Sequence, residues 1–363
     1  MWRHLQRSCH RPLHPIYSRP YSQLPGKNVF TKHNISCSAP PELSSGKRIA
    51  NVLIAFCAGF SIYFFLDEPA SQFERPSNSP NKFILSKVIS NEDSGPGTKL
   101  LKIAAPTYFL PHNNTANSFD PIWSVYIKDD DIQVERPYTP LNGVDENGQM
   151  TFWIKKYPNG EVGRWLHTKR IGEPIEFRGP LTTWTWREDT WDEVVMISGG
   201  TGITPFVQLF HNVISKSPNT KTRFTLLHSS RVPEELPPPS LLDPMITFSI
   251  DNPDKLKFHV FVDEQDGSEP STSIPAIYTG RISENTLKRH VFPEEPKISW
   301  WMSLFTNPPP TPDPRSRRIL FLVCGPEPMI SAIAGPYGRN FSQGSVGGIL
   351  GKLGIVSDQV YKL

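Results

Sequence analysis

Carboxylates are missing from the first 41 residues of this 363-residue chain, cysteine is scarce, and the glycine pattern G-x-G-x-x-G is nowhere complete. Each absence excludes something. The four cysteines, Cys9, Cys37, Cys57 and Cys324, form no closely spaced pair, which removes zinc ribbons, other cysteine metal sites and disulfide scaffolds. A hydrophobic share of 37% with 20% charged residues removes collagenous, disordered and polytopic membrane proteins. A basic body that would grip nucleic acid is also absent. Residues 1–48 set eight Lys and Arg against Glu42 alone, a charge of +7, which leaves −4 on the other 315 residues of a chain whose total is +3.

The positive charge therefore belongs to one tail. Arg3, Arg7, Arg11, Arg19, Lys27 and Lys32, four histidines and several serines, with no acid before Glu42, carry the bias of a mitochondrial transit peptide over 1–48. Ile49 to Leu66 is an uncharged, mostly apolar run of 18 residues. As a helix rising about 1.5 Å per residue it reaches roughly 27 Å, enough for a hydrocarbon core. Lys47 and Arg48 precede it and Asp67 and Glu68 follow it, so the basic side stays where the chain began. A transmembrane helix over 49–66 then puts the rest of the chain in the intermembrane space, after a polar, proline-bearing linker over 67–80.

The body divides in two. Over 81–186, the segments FILSKVI, KLLKIAA, IWSVYI and TFWIKKY alternate or cluster apolar and β-branched residues between turns such as Asn142-Gly143 and Asn147-Gly148. Short strands at that spacing predict a small antiparallel barrel, ending near Trp186 after a turn at Glu176 to Pro180. Over 187–363, EVVMIS, RFTLLH, LKFHVFV and RILFLVC read as buried strands alternating with helices, hence a parallel sheet with ligands at its carboxyl edge. Proline, 38 residues, is about twice its usual share. It falls in the leader, the linker, motif turns and two loops of this second domain. One loop, the proline-rich insertion 292–314, is too dense in proline for a regular element.

Three motifs carry chemistry. Arg136-Pro137-Tyr138-Thr139-Pro140 ends a strand and offers a guanidinium for phosphate, an aromatic face for a flat ring and a hydroxyl for a ring nitrogen. Gly199-Gly200-Thr201-Gly202 follows a strand and leads into a helix opened by Pro205, whose Phe206, Leu209, Phe210 and Val213 recur at helical spacing. Glycines at a helix N-terminus suit a dinucleotide pyrophosphate. Cys324-Gly325-Pro326 ends a buried strand at the ligand edge, where such a thiol serves packing or faces a ligand.

In this order and at this spacing, RPYTPL, IEFRGP, GGTGITP and VCGPEPMI resemble the NADH-cytochrome b5 reductase branch of the ferredoxin-reductase-like flavoproteins, from Phe83 to Leu363. The resemblance implies a six-stranded antiparallel FAD-binding barrel followed by a parallel-sheet NAD(P)-binding domain, with FAD and NADH or NADPH as cofactors. By it Arg136 and Pro137 belong to the FAD pyrophosphate site, Tyr138 packs on the isoalloxazine, and Thr139 bonds near the hydride-accepting nitrogen. Gly163, Arg164 and Trp165 belong to a further FAD phosphate segment. Gly200, Thr201, Gly202 and Thr204 line the pyridine nucleotide, and Cys324, with Gly325 and Pro326, faces the nicotinamide. Thr139 and Cys324 are thus the residues at the reacting atoms. Ser230 and Arg231 fall where the adenosine ribose lies, and an arginine there suits a 2′-phosphate.

The chain departs from the pattern in two places. Glu161 and Gly163 stand where these reductases commonly carry lysine and serine, and Leu363 replaces the usual terminal aromatic residue. The layout of basic tail, single span and divergent reductase resembles the fungal cytochrome c import factors, inner-membrane flavoproteins that assist haem attachment. That resemblance implies haem, cytochrome c and its haem lyase as partners and the inner mitochondrial membrane as location. Two alternatives stand beside it: a cytochrome b5 reductase of the outer membrane or reticulum, and a non-enzymatic, flavin-containing assembly factor.

Overall fold

The structure, a computed structural model, describes residues 80–106, 109, 120–131, 133–217, 220–292 and 317–363. The transit peptide, the membrane span, nearly all of the linker and the body of the proline-rich insertion lie outside these residues. No helix among the described residues is long and apolar enough to cross a membrane.

Six strands build the first domain: β1 (Ile84–Asp93), β2 (Thr98–Ala104), β3 (Ile122–Lys128), β4 (Glu135–Tyr138), β5 (Gln149–Lys155) and β6 (Pro174–Trp184). They pair antiparallel in the order β4-β3-β6-β1-β2-β5. The chain leaving β4 closes the curl, since Leu141 N–H donates to Thr151 O on β5 at 2.9 Å. Alternation along the strands turns Val88, Leu101, Ile103, Val125, Ile127, Phe152, Ile154, Ile175 and Phe177 into one core. One helix, α1 (Glu161–Thr168), covers it with Val162 and Leu166.

The expected turn at Glu176 to Pro180 is not a turn. These residues run through the middle of β6, between β3 and β1. Ser124 faces Leu181 and Tyr126 faces Arg178, so two residues, Gly179 and Pro180, oppose Val125 alone. A bulge of this kind leaves its extra residue out of the ladder, which is where a central strand tolerates proline.

The second domain is a parallel sheet of β7 (Glu193–Gly199), β8 (Arg223–Ser230), β9 (Leu256–Val262), β10 (Ile277–Thr279), β11 (Ile319–Cys324) and β12 (Val360–Lys362). Its order is β10-β9-β8-β7-β11-β12. The four expected strands recur within two residues of their predicted limits. The helices are α2 (Thr204–Leu209), α3 (Pro239–Asp251), α4 (Glu284–His290), α5 (Glu327–Ala334) and α6 (Gly348–Lys352). Sheet order reverses at β7, with β8 on one side and β11 on the other, so the crevice above their carboxyl ends is the topological switch point. Ser198 and Cys324 are register partners there.

Candidate functional site

The glycine turn and the cysteine motif meet at that crevice. A Cβ on Gly202 would lie 2.4 Å from Cys324 O and 2.6 Å from Cys324 C, so only glycine lets the turn close on the end of β11. Gly200 holds φ +53 with nothing within 4 Å of where its Cβ would be, leaving that face of the turn open. Thr201 O receives the Thr204 N–H, and Pro205 sits in the first turn of α2. Met329, on α5, lies across Gly199, where an added Cβ would come 2.4 Å from its sulfur; the sequence had not marked it. Gly325 and Pro326 join β11 to α5.

The RPYTP motif meets the same turn through a residue that sequence reasoning missed. Gln208, fully buried on α2, donates from Nε2 to Pro140 O at 3.0 Å and accepts the Trp123 N–H at 2.8 Å. Its only signal in the sequence is an amide on the apolar side of an otherwise apolar helix. Arg136 and Pro137 are exposed on edge strand β4, and Tyr138 and Thr139 are half-buried. The Arg136 guanidinium donates to Glu135 O at 2.9 Å and has no carboxylate partner among the described residues. Burial pushes the Tyr138 phenol above its ordinary range, the nearby Arg136 charge opposing.

The second segment expected to meet FAD, around Gly163, adjoins Tyr138. A Cβ on Gly163 would stand 3.1 Å from Lys155 O and 3.9 Å from the Tyr138 hydroxyl, so α1 packs closely against β5 beside that ring. Arg164 is exposed and makes no ion pair among the described residues, whereas Glu161 places a carboxylate in the first turn of the helix. Trp165 turns elsewhere: its indole donates to Asp130 Oδ1 at 2.7 Å, under the Lys169 ammonium.

At the far edge, Arg231 follows β8 and forks onto Glu235, with Nε 3.0 Å from Oε2 and Nη2 on Oε1. Lys155 of β5 reaches the same carboxylate at 2.8 Å. Burial pushes the Glu235 carboxyl up, but the hydrogen bonds from Arg231 and Lys155 outweigh it and leave the group below the usual range. Ser230 is buried, its hydroxyl on Glu235 O and near His228 Nε2. His228 Nδ1 lies 2.8 Å from Ser198 Oγ. Burial drives that imidazole down to about 3, so it is neutral. Burial likewise pushes the Cys324 thiol up to about 12, which makes it a poor nucleophile and a compact apolar wall. Leu363 extends the strand beside it, donating from N–H to Val323 O at 2.9 Å.

The residues fit an FAD phosphate in one respect and oppose it in another. Arg136 and Arg164, without a carboxylate partner among the described residues, and the approach of α1 at Gly163 suit an anion, while Glu161 repels one. For the pyridine nucleotide the open face of Gly200 and the fork of Arg231 lie on one sheet edge.

Comparison with known proteins agrees. Residues 122–186 match the oxidoreductase FAD-binding domain and residues 196–335 the oxidoreductase NAD-binding domain. The chain is 28% identical over 329 residues to NADH-cytochrome b5 reductase 2 of Scheffersomyces stipitis, covering 88% of this chain and 97% of that one. With NADH-cytochrome b5 reductase 2 of Mycosarcoma maydis it shares 30% over 240 residues, 65% of this chain and 59% of that one. In fold it is similar to the cytochrome b5 reductase domain of Ulva prolifera nitrate reductase, with a TM-score of 0.55 at 18% identity over 78% of this chain and 98% of that one. The CS-b5R domains of human Ncb5or give 0.53 at 18%, over 77% and 69%. With its FAD-binding and NAD-binding oxidoreductase domains in this order, the chain is an NAD(P)H flavin oxidoreductase, similar to the NADH-cytochrome b5 reductases.

Proposed function

We propose that this oxidoreductase is anchored in the inner mitochondrial membrane by residues 49–66 and delivers electrons in the intermembrane space to a haem protein. The physiological target would be haem awaiting attachment to cytochrome c, with the haem lyase as neighbour. The observation that carries this reading is the N-terminal 66 residues: an acid-poor basic leader, then an uncharged 18-residue apolar run. A likeness covering 88% of the chain to a fungal NADH-cytochrome b5 reductase 2 supports it, since residues from Pro80 onward make up a smaller share than that.

Bound FAD would supply hydride acceptance from NAD(P)H and the release of single electrons. The side chains prepare for that exchange. Arg136 and Arg164 would hold the FAD phosphates, Tyr138 would offer its face to the ring, and the Thr139 hydroxyl would meet the ring's edge. Gly200, Thr201, Gly202 and Thr204 would hold the pyridine nucleotide at the turn, Arg231, held by Glu235, would stand at its ribose end, and the protonated Cys324 thiol, with Gly325 and Pro326, would wall the nicotinamide. Gln208 keeps these two halves in register.

The test uses the full chain in detergent, mixed anaerobically with NADH or NADPH. A yellow protein that bleaches supports the reading, and a colourless one refutes FAD binding. Protease treatment of intact and outer-membrane-ruptured mitochondria locates the domain. Protection lost on rupture fits the intermembrane space, and digestion without rupture favours a reductase of the outer membrane or reticulum.

A further inference from the structure

Loop 335–347, between α5 and α6, holds an aromatic side chain where folding alone would not put one. Phe341 is 84% exposed, the most exposed of the large apolar side chains described. Its φ is +56, and that of the preceding Asn340 is +54. This is a left-handed conformation that a bulky L-residue rarely adopts. The loop is nonetheless rigidly held. Lys362, buried, donates from Nζ to Pro336 O at 2.7 Å and also to Gln343 O. Gln343 and the Lys362 backbone exchange two hydrogen bonds, at 2.7 and 2.9 Å. A Cβ on Gly344 would strike Pro336 O at 2.7 Å, so the loop folds tightly on itself.

That rigid loop is tied to the reacting edge. Tyr337 packs its ring edge-on against Phe341, centroids 6.1 Å apart, and its hydroxyl donates to Leu363 O at 2.8 Å. Leu363 N–H in turn donates to Val323 O, one residue before Cys324. Exposed Arg339 stands two residues from Phe341, with no ion pair among the described residues. Backbone outliers of this kind cluster at functional sites, and aromatic side chains and arginine are the residue types enriched at interface hot spots.

We infer that Phe341, with Arg339, is the docking anchor for the protein that accepts the electrons, a haem protein presenting an apolar spot edged by carboxylate beside its haem. The inference rests on the haem-protein reading given above. Each NADH reduces two ferric haems to ferrous haem, yielding NAD+ and a proton, so the acceptor docks twice per cycle.

The experiment compares the full-length wild type with Phe341→Gly, Phe341→Trp and Arg339→Glu. The acceptors are ferricyanide, the soluble haem domain of cytochrome b5, and cytochrome c. Glycine accepts positive φ without strain, so Phe341→Gly is expected to fold with an unchanged or higher thermal midpoint. Its bleaching by NADH and its ferricyanide rate should match wild type. Its kcat/KM for the haem protein should fall about tenfold, through KM, with Arg339→Glu moving the same way and Phe341→Trp retaining the rate. Equal haem-protein kinetics in Phe341→Gly and wild type overturn the inference, as does a parallel loss with ferricyanide. A change confined to association with phospholipid vesicles assigns Phe341 to a membrane and also overturns it. If wild type reduces ferricyanide but neither haem protein, the haem-protein reading itself fails and takes this anchor with it.

Discussion

Gln208 and Pro140, 68 residues apart in the chain, are joined by a buried hydrogen bond of 3.0 Å that ties the RPYTP motif to the helix behind the glycine turn. The other end of the same amide takes the Trp123 N–H, so one side chain satisfies two backbone groups of the barrel from the nucleotide domain. Replacing it with leucine removes both hydrogen bonds, at a cost of about 1–3 kcal/mol. Gln208→Leu should therefore unfold several degrees earlier on heating and lose flavin more readily on gel filtration, whereas a wild-type midpoint would remove its bridging role.

Gly202→Ala tests the contact between the turn and β11. The added methyl would sit 2.4 Å from Cys324 O, against backbone that has no rotamer to yield. The turn must open, so bleaching by NADH should slow more than about tenfold. Because the barrel is untouched, the yellow colour should persist. Unchanged bleaching would show that the turn does not position the nucleotide.

Glu235 governs the charge that Arg231 presents. Its carboxylate, 10% exposed, occupies the Arg231 fork and the Lys155 ammonium together. Glu235→Gln removes one negative charge and frees Arg231 for a 2′-phosphate. The ratio of kcat/KM for NADPH over NADH should rise about tenfold, roughly the 1.4 kcal/mol of one charge-assisted hydrogen bond. A constant ratio would place the ribose elsewhere.

His228 makes stability depend on pH. Burial lowers its folded pKa to about 3 from an ordinary 6.5, so the unfolded chain binds a proton that the folded one refuses. Its contribution is complete above pH 6.5 and is lost as pH falls from there toward 3, at up to about 1.4 kcal/mol per pH unit. His259, held near 4 by burial, adds a similar slope. In denaturant melts between pH 7 and 4, His228→Gln should flatten the dependence by about one proton. An unchanged slope would mean that His228 is not buried neutral.

Glu161→Lys tests the departure at α1. A lysine in the first turn exchanges repulsion of the FAD phosphates for attraction, at a small cost against the helix dipole. Apoprotein titrated with FAD should bind several-fold more tightly in the variant, and weaker binding would move the phosphates away from this helix.

Much of the barrel and parallel sheet was legible because burial writes itself into sequence. EVVMIS and RILFLVC are apolar on both faces because helices cover both faces of a parallel sheet, and LKFHVFV runs from Leu256 to Val262 as read. Proline misled twice. Gly179-Pro180 reads as a turn, yet a bulge in the β3–β6 ladder lets β6 pass through it. Prolines of the second domain outside the motif turns read as loop, yet Pro239 starts α3, where its missing N–H is not needed, and Pro244 sits inside the helix. Leu241, Leu242, Met245 and Ile246 bury enough surface there to outweigh the lost bond.

The sequence by itself determined the two-domain class, the order of the three motifs and the charge division between tail and body, because those depend on residue type and local spacing. Only the tertiary structure decided which motifs touch. The approach of Gly202 to Cys324, the span of Gln208 from Trp123 to Pro140 and the reach of Lys155 to Glu235 all join residues far apart in the chain. Such contacts are set by strand order and register, and a local pattern carries no record of either.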